Sequence, residues 1–132
     1  MKKIVLFLFL LLVIYYFFIA NQHSCKNKDA KIYKLSNRNY CLLTADNQKQ
    51  WEKGLMFYKK PVDFDGMIFI FPDKDYRTFW NKNTYLDLDV YWLNDDKVVG
   101  KSFLPSILKS KEIITVSSDN EVNRVIEIIN NK

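Results

Sequence analysis

From Ile4 to Ala20 every position is aliphatic or aromatic, with no charge, glycine or proline inside the run. As a helix, those 17 residues cover roughly 25 Å, near the lower limit for a bilayer core. A run without a polar stripe cannot lie on a surface as an amphipathic helix, so the pattern predicts a membrane segment. Beyond Lys26–Asp29, a short polar linker, the pattern changes to brief runs of Val, Ile, Phe, Tyr and Trp. They predict strands over Lys31–Leu35, Tyr40–Thr44, Gly66–Phe71, Arg77–Thr84, Leu88–Leu93, Lys97–Phe103, Ile113–Ser117 and Asn123–Ile129. Turn-forming pieces such as Pro72-Asp73-Lys74-Asp75 and Asn94-Asp95-Asp96 separate them.

Short strands at close spacing point to an antiparallel β-sandwich or barrel, not to a parallel sheet with crossover helices. One short helix is expected after Asp46 as N-cap, with Trp51, Leu55 and Met56 as its apolar stripe and Gly54 near its end. Gly66–Phe71 is apolar on both faces and reads as a central strand covered on both sides. In Leu88–Leu93 the alternation sends Leu88, Val90 and Trp92 into the core. The chain is thus mainly β: residues 1–25 are a signal anchor or signal peptide, and residues 26–132 a single globular β-rich domain.

Lys2 and Lys3 before the apolar run make an export-type tip. Its length and the lack of a small-residue cleavage pair favour an uncleaved anchor over a cleaved signal peptide. Ser24 before Cys25 hints at a lipoprotein site, which Gln22 opposes. Lys26, Lys28, Lys31, Lys34 and Arg38 beyond the run pull against export by the positive-inside rule, but the basic tip and apolar core favour it. The expected place is the cell membrane, with the domain extracytoplasmic.

Residues 26–60 hold nine Lys or Arg against three Asp or Glu, and residues 61–132 nine against twelve. The basic excess therefore lies beside the anchor, where a solvated linker or anionic headgroups explain it; nucleic acid is not an expected partner. Cys25 and Cys41 allow a disulfide or a buried thiol at Cys41. The position of Cys25 next to the membrane tips this reading toward unpaired thiols.

The only histidine, His23, sits in the membrane-proximal stub, which excludes Ser-His, Cys-His and His-metal chemistry within the domain. Two cysteines make no zinc site, and three glycines make no phosphate loop. Neither metal nor cofactor is expected. The densest polar-aromatic stretch is Phe79-Trp80-Asn81-Lys82-Asn83-Thr84, followed by Asp87 and Asp89. On a strand, Trp80, Lys82 and Thr84 would share one face. Trp80 offers a stacking surface, Lys82 a charge, Asn83 and Thr84 directional hydrogen bonds, and Asp89 an acceptor. The purely structural alternative is a half-buried lysine tied to Asp87 or Asp89, with Asn83 and Thr84 holding a turn.

Gly54-Leu55-Met56, Gly66-Met67 with Phe69 and Phe71, Phe79-Trp80-x-Lys82-Asn83-Thr84 and Leu88-Asp89 resemble, in order and spacing, the signature blocks of the domain-of-unknown-function 192 family (uncharacterised protein family 0127). The resemblance spans about Thr44 to Leu93. It implies a compact, mostly antiparallel β-sandwich or barrel with a short helix, often behind a signal peptide or anchor, and no established activity. The chain departs from the family pattern at Asn81, where Met is usual, at Asp87, where Pro is usual, and at Tyr58, where Arg is usual. It also stops at Lys132 without the family's glycine-containing tail. A pocket completed by that arginine or tail is expected to differ here.

The reading that follows is a membrane-tethered or exported binding or accessory module. Residues 4–20 meet the membrane, and Trp80, Lys82, Asn83, Thr84 and Asp89 line a groove for a small polar ligand, sugar or peptide. The alternatives are an enzyme using Asp89 as base with Lys82, and an envelope scaffold.

Overall fold

Two hairpins frame the sheet. Lys31–Leu35 (β1) and Arg38–Ala45 (β2) pair antiparallel around Ser36-Asn37, with Ser36 at φ 56°. Leu88–Asn94 (β5) and Lys97–Leu104 (β6) pair likewise around Asp95-Asp96, with Asp95 at φ 53°. Positive φ in a two-residue turn matches the twist of the flanking strands, and small polar residues tolerate it. The computed structural model describes residues 2–20 and 24–130, and within 2–20 the side chains of 5–16. Gln22 and His23, used in the sequence reading, lie outside the described residues.

Gly66–Asp75 (β3) and Val122–Ile129 (β8) complete a six-stranded sheet in the order β1-β2-β3-β8-β5-β6. Thr78–Trp80 (β4) and Thr115–Ser117 (β7) form a separate two-stranded ribbon. The chain is mainly β, as expected, but its sheet is mixed rather than wholly antiparallel. β2 and β3 run parallel, from Leu42 opposite Gly66 to Ala45 opposite Phe69. The helix Gln48–Lys53 (α2) and the loop after it return the chain to its starting end before β3 begins, as a parallel pair requires.

The α2 N-cap is Asn47, one residue later than expected. Its side chain accepts from the Gln50 N–H at 3.1 Å, while the Gln50 side chain accepts from the Asp46 N–H at 2.9 Å. This reciprocal arrangement satisfies two donors that a helix start leaves open. The expected strand Arg77–Thr84 shrinks to β4, because Asn81–Thr84 turn away with Asn83 at φ 54°. A further short helix, Ile107–Ser110 (α3), has no periodic signature; the hydroxyl of Ser106 caps it by accepting from the Lys109 N–H.

β3 is apolar on both faces for the reason expected: both are covered. Met67 and Phe69 join Ala45, Val90, Trp92 and Val125 on the α2 side. Ile68 joins Leu42, Leu93, Ile126 and Ile128 on the other side, rimmed by Tyr33, Tyr40 and Tyr91. Leu88, Val90 and Trp92 are all buried. Trp51 fastens α2 to the sheet, its indole N–H shared between the carbonyls of Ala45 and Ile70 at 3.1 and 3.2 Å.

Cys25 and Cys41 are joined in a disulfide, which corrects the expectation of unpaired thiols. Cys25 is not loosely tethered. A turn in which Ala30 donates to the Asn27 carbonyl leads into β1, and Cys25 lies with its Cα 5.5 Å from that of Cys41 on β2, within the range a disulfide spans.

Lys2–Ala20 forms a helix (α1) whose side chains from Val5 to Tyr16 are exposed. Among the described residues no helix is long and apolar enough to cross a membrane.

Candidate functional site

One charged side chain in the interior stands out. On β8, Ile126 and Ile128 turn to the tyrosine-rimmed face, while Val125, Glu127 and Ile129 turn to the α2 face. Glu127 lies between Met67 of β3 and Val90 of β5 and is only 4% exposed. Among the described residues no group donates a hydrogen bond to its carboxyl and no cation pairs with it. An ion so placed loses its hydration with nothing in return. Burial alone therefore pushes the Glu127 pKa up to about 8, and the group is largely neutral near pH 7.

Above Glu127 is a cleft of about 30 Å³, room for one or two water-sized groups. Its walls come from three separate parts of the chain: Trp51 and Gly54 at the end of α2, Phe69 of β3, and Phe79, Trp80 and Thr84 at and after β4. Two glycines make this convergence work. Gly54 adopts φ 46° where α2 ends, and a Cβ there would lie 3.3 Å from the Phe69 ring. At Gly66 a Cβ would fall 1.9 Å from the Glu127 carbonyl oxygen, so only a bare backbone lets β3 close against β8. Phe69 and Phe79 then meet edge to face, 4.8 Å between centroids, and Phe79 meets Trp92 likewise at 5.7 Å. Most of the family-like blocks quoted above thus meet at one place.

The residues singled out in the sequence fare differently. Trp80 is on the rim, 46% exposed, with the Lys82 ammonium 5.1 Å from its ring centroid. Thr84 is buried and lines the cleft, but its hydroxyl is engaged in donating to the Lys82 carbonyl at 3.2 Å. Asn83 is a turn residue whose carbonyl accepts from the Phe57 N–H at 2.9 Å. Asp89 is not brought to this group. It turns to the tyrosine-rimmed face, where it pairs with Lys101 at 3.1 Å and accepts from Asn130 at 3.3 Å. Lys82 and Asp89 therefore do not converge on a cavity. Nor do Trp80, Lys82 and Thr84 share a strand face, since the strand ends at Trp80.

Glu127 escaped the sequence reading, although a lone acid inside Val125-Ile126-Glu127-Ile128-Ile129 is a visible signal. Asn81 and Asp87, named above as departures from the family pattern, both hold the same segment. Asn81 is fully buried; its amide donates to the Pro105 carbonyl at 2.9 Å and to the Ser110 hydroxyl at 2.8 Å, while its oxygen accepts from the Ile114 N–H at 2.8 Å. Asp87 accepts from the Ser106 N–H at 2.7 Å and from Lys109 at 3.4 Å. Burial raises the Asp87 pKa, but the Ser106 N–H and Lys109 together outweigh it, and the net shift is downward. Two of the departures from the family pattern thus act jointly to pin residues 105–114 beside the 81–87 turn. At the third departure, Tyr58 packs edge to face on Phe64 at 5.0 Å. It also lines a wider, open groove of about 550 Å³ with Lys28, Lys31 and Gln50. Lys53 and Gly54 border both spaces. Among the described residues no three His, Cys, Asp or Glu side chains gather as a metal site.

Comparison with known proteins bears on the fold and the family. A protein from Sinorhizobium meliloti 1021, described provisionally as a transcription regulator, has a crystal structure matching with a TM-score of 0.58 at 29% identity, over 74% of this chain and 76% of that one. A protein of unknown function from Novosphingobium aromaticivorans DSM 12444 shares the fold with a TM-score of 0.60 at 20% identity, over 83% of this chain and 89% of that one. No curated protein matches the chain. The model of the family described as uncharacterised ACR, DUF192, matches residues 32–131, and the chain belongs to that family.

Proposed function

We propose that this protein is a membrane-tethered binding module that takes the polar head of a small ligand into the cleft above Glu127. The observation that carries this reading is the buried, unpartnered carboxyl of Glu127 at the floor of an aromatic-walled cleft. A buried ionisable group without a partner costs stability, and such groups concentrate at functional sites. Trp80 forms the exposed rim and Lys82 stands over it. Asp89 drops out of the ligand set because it faces the other side of the sheet. Residues 4–20 are the proposed tether, and the proposed location of the domain is outside the cytoplasm. The apolar run supports the first, and the Cys25–Cys41 disulfide, typical of oxidising compartments, supports the second.

The test uses the full chain in detergent micelles. Trp80→Ala and Glu127→Gln should melt cooperatively yet fail to rescue the phenotype of a gene deletion. If both variants fold and fully rescue that phenotype, the cleft is not the site.

A further inference from the structure

We infer that the cleft receives the ammonium head of a small organic amine, held between the Glu127 carboxylate and the surrounding aromatic rings. This rests on the binding reading above and narrows it to one chemical class. Glu127 lacks a donor of its own. No described residue donates to it, and the one hydroxyl in the wall, on Thr84, is already engaged with the Lys82 carbonyl. The donors must come with the ligand. A cation brings donors and charge together, and only a cation repays the cost of ionising a carboxyl here.

The walls agree. Phe69, Phe79, Trp51 and Trp80 surround the space, and aromatic faces attract ammonium groups. The rim already displays this chemistry, with the Lys82 ammonium 5.1 Å from the Trp80 centroid. Size narrows the class further: about 30 Å³ admits an ammonium and a methyl group, not a sugar ring. The charged side chains lining the cleft besides Glu127 are Glu52 and Lys53 of α2, and Lys82 stands over the Trp80 rim. β3 and β5 present Met67 and Val90 beside it. Neither Lys53 nor Lys82 forms an ion pair with Glu127. Binding then proceeds with a balanced proton: the neutral carboxyl gives its proton to solvent, and the carboxylate left behind accepts from the incoming ammonium.

Methylammonium chloride is the probe, titrated into the full chain in detergent micelles. Tryptophan fluorescence reads occupancy, and calorimetry in two buffers of different ionisation enthalpy reads proton release. Saturable binding is expected, with close to one proton released near pH 7. Apparent affinity should fall roughly tenfold from pH 7 to pH 6, as for one ionising site. Sodium chloride at equal ionic strength should give no saturation, tetramethylammonium should bind at least about tenfold more weakly because it overfills the cleft, and Glu127→Gln should remove the response. If Glu127→Gln does not fold, the wild-type pH dependence and proton release decide. Ethanol saturating as well as methylammonium, with no proton released, overturns the cation assignment but leaves the binding reading standing. Absence of saturation by every probe, together with full complementation by folded Trp80→Ala, overturns both.

Discussion

Glu127 and Asp89 are carboxylates on adjacent strands of one sheet, with side chains on opposite faces, and they have opposite lives. Asp89 keeps 23% of its side chain exposed and is held by Lys101 and Asn130. The Lys101 pKa is raised in turn, first by Tyr91 and then by Asp89. Glu127, one register position away on β8, lies beneath α2 and the β4 turn at the base of the narrow cleft, with no partner. In the sequence Asp89 looks like a companion of Trp80 and Lys82 because it stands near them in the chain. The sheet undoes that grouping, since β-strand side chains alternate faces and nearness in sequence does not imply a shared face.

The comparison breaks most violently at the backbone beneath Glu127. Gly66→Ala drives a Cβ into the Glu127 carbonyl oxygen, and a rigid backbone cannot yield as a side chain tip can. We expect a loss on the order of 4 kcal/mol or more, or failure to fold, measured as the shift in urea midpoint. An unchanged midpoint would mean that β3 and β8 are not in the close contact described.

Next comes the pH dependence of Glu127. Its folded pKa of about 8 lies above the unfolded value of 4.5, so between these limits the folded state holds more protons. Stability is highest at the low end of that window, is lost as pH rises through it, and the full cost is present above about pH 8. The size is on the order of 5 kcal/mol. Glu127→Gln removes this titration. Unfolding curves of variant and wild type should therefore diverge toward pH 9, with the variant more stable, and converge near pH 4. Parallel curves across that range would show that Glu127 is already ionised and solvated in the native protein.

Asn81→Ala should cost about 2–3 kcal/mol, because it leaves the Ile114 N–H and the Pro105 carbonyl without their partner. Amide exchange should quicken in residues 105–114 while the Glu127 side of β8 stays protected; equal quickening in both would mean that the segment and the cleft unfold together. The smallest effect belongs to Asp89→Asn. The Lys101 pair is half exposed and such pairs contribute about 0–1 kcal/mol. Its loss should nearly vanish at high salt and leave the pH curve between 5 and 8 unchanged. A large, salt-independent loss would place Asp89 in the same class as Glu127.

The family-like blocks were readable because they are local: Gly54, Gly66, Phe79, Trp80 and Thr84 stand in family-like order and spacing along the chain. Their common purpose was not, because it needs α2, β3 and β4 brought around one residue of β8, far along the chain. Asn81 illustrates the difference. As a letter it is a departure in a motif; in the structure its amide joins the turn to Pro105, Ser110 and Ile114. Reading Asn81–Thr84 as strand failed for a physical reason too. Asn accepts the left-handed conformation that Asn83 adopts, and a residue that ends a strand looks polar in the same way as one that faces solvent.

Period and turn chemistry act over a few residues, and so the mainly β class, the two-faced β3, the buried Leu88-Val90-Trp92 set and the apolar run from Ile4 are written in the chain order itself. The parallel β2–β3 pairing, the Cys25–Cys41 bond and the side of the sheet each carboxylate meets were settled by contacts between distant residues. A carboxyl group carries no intrinsic preference for isolation. Glu127 holds its proton because three segments close over it and none supplies a donor.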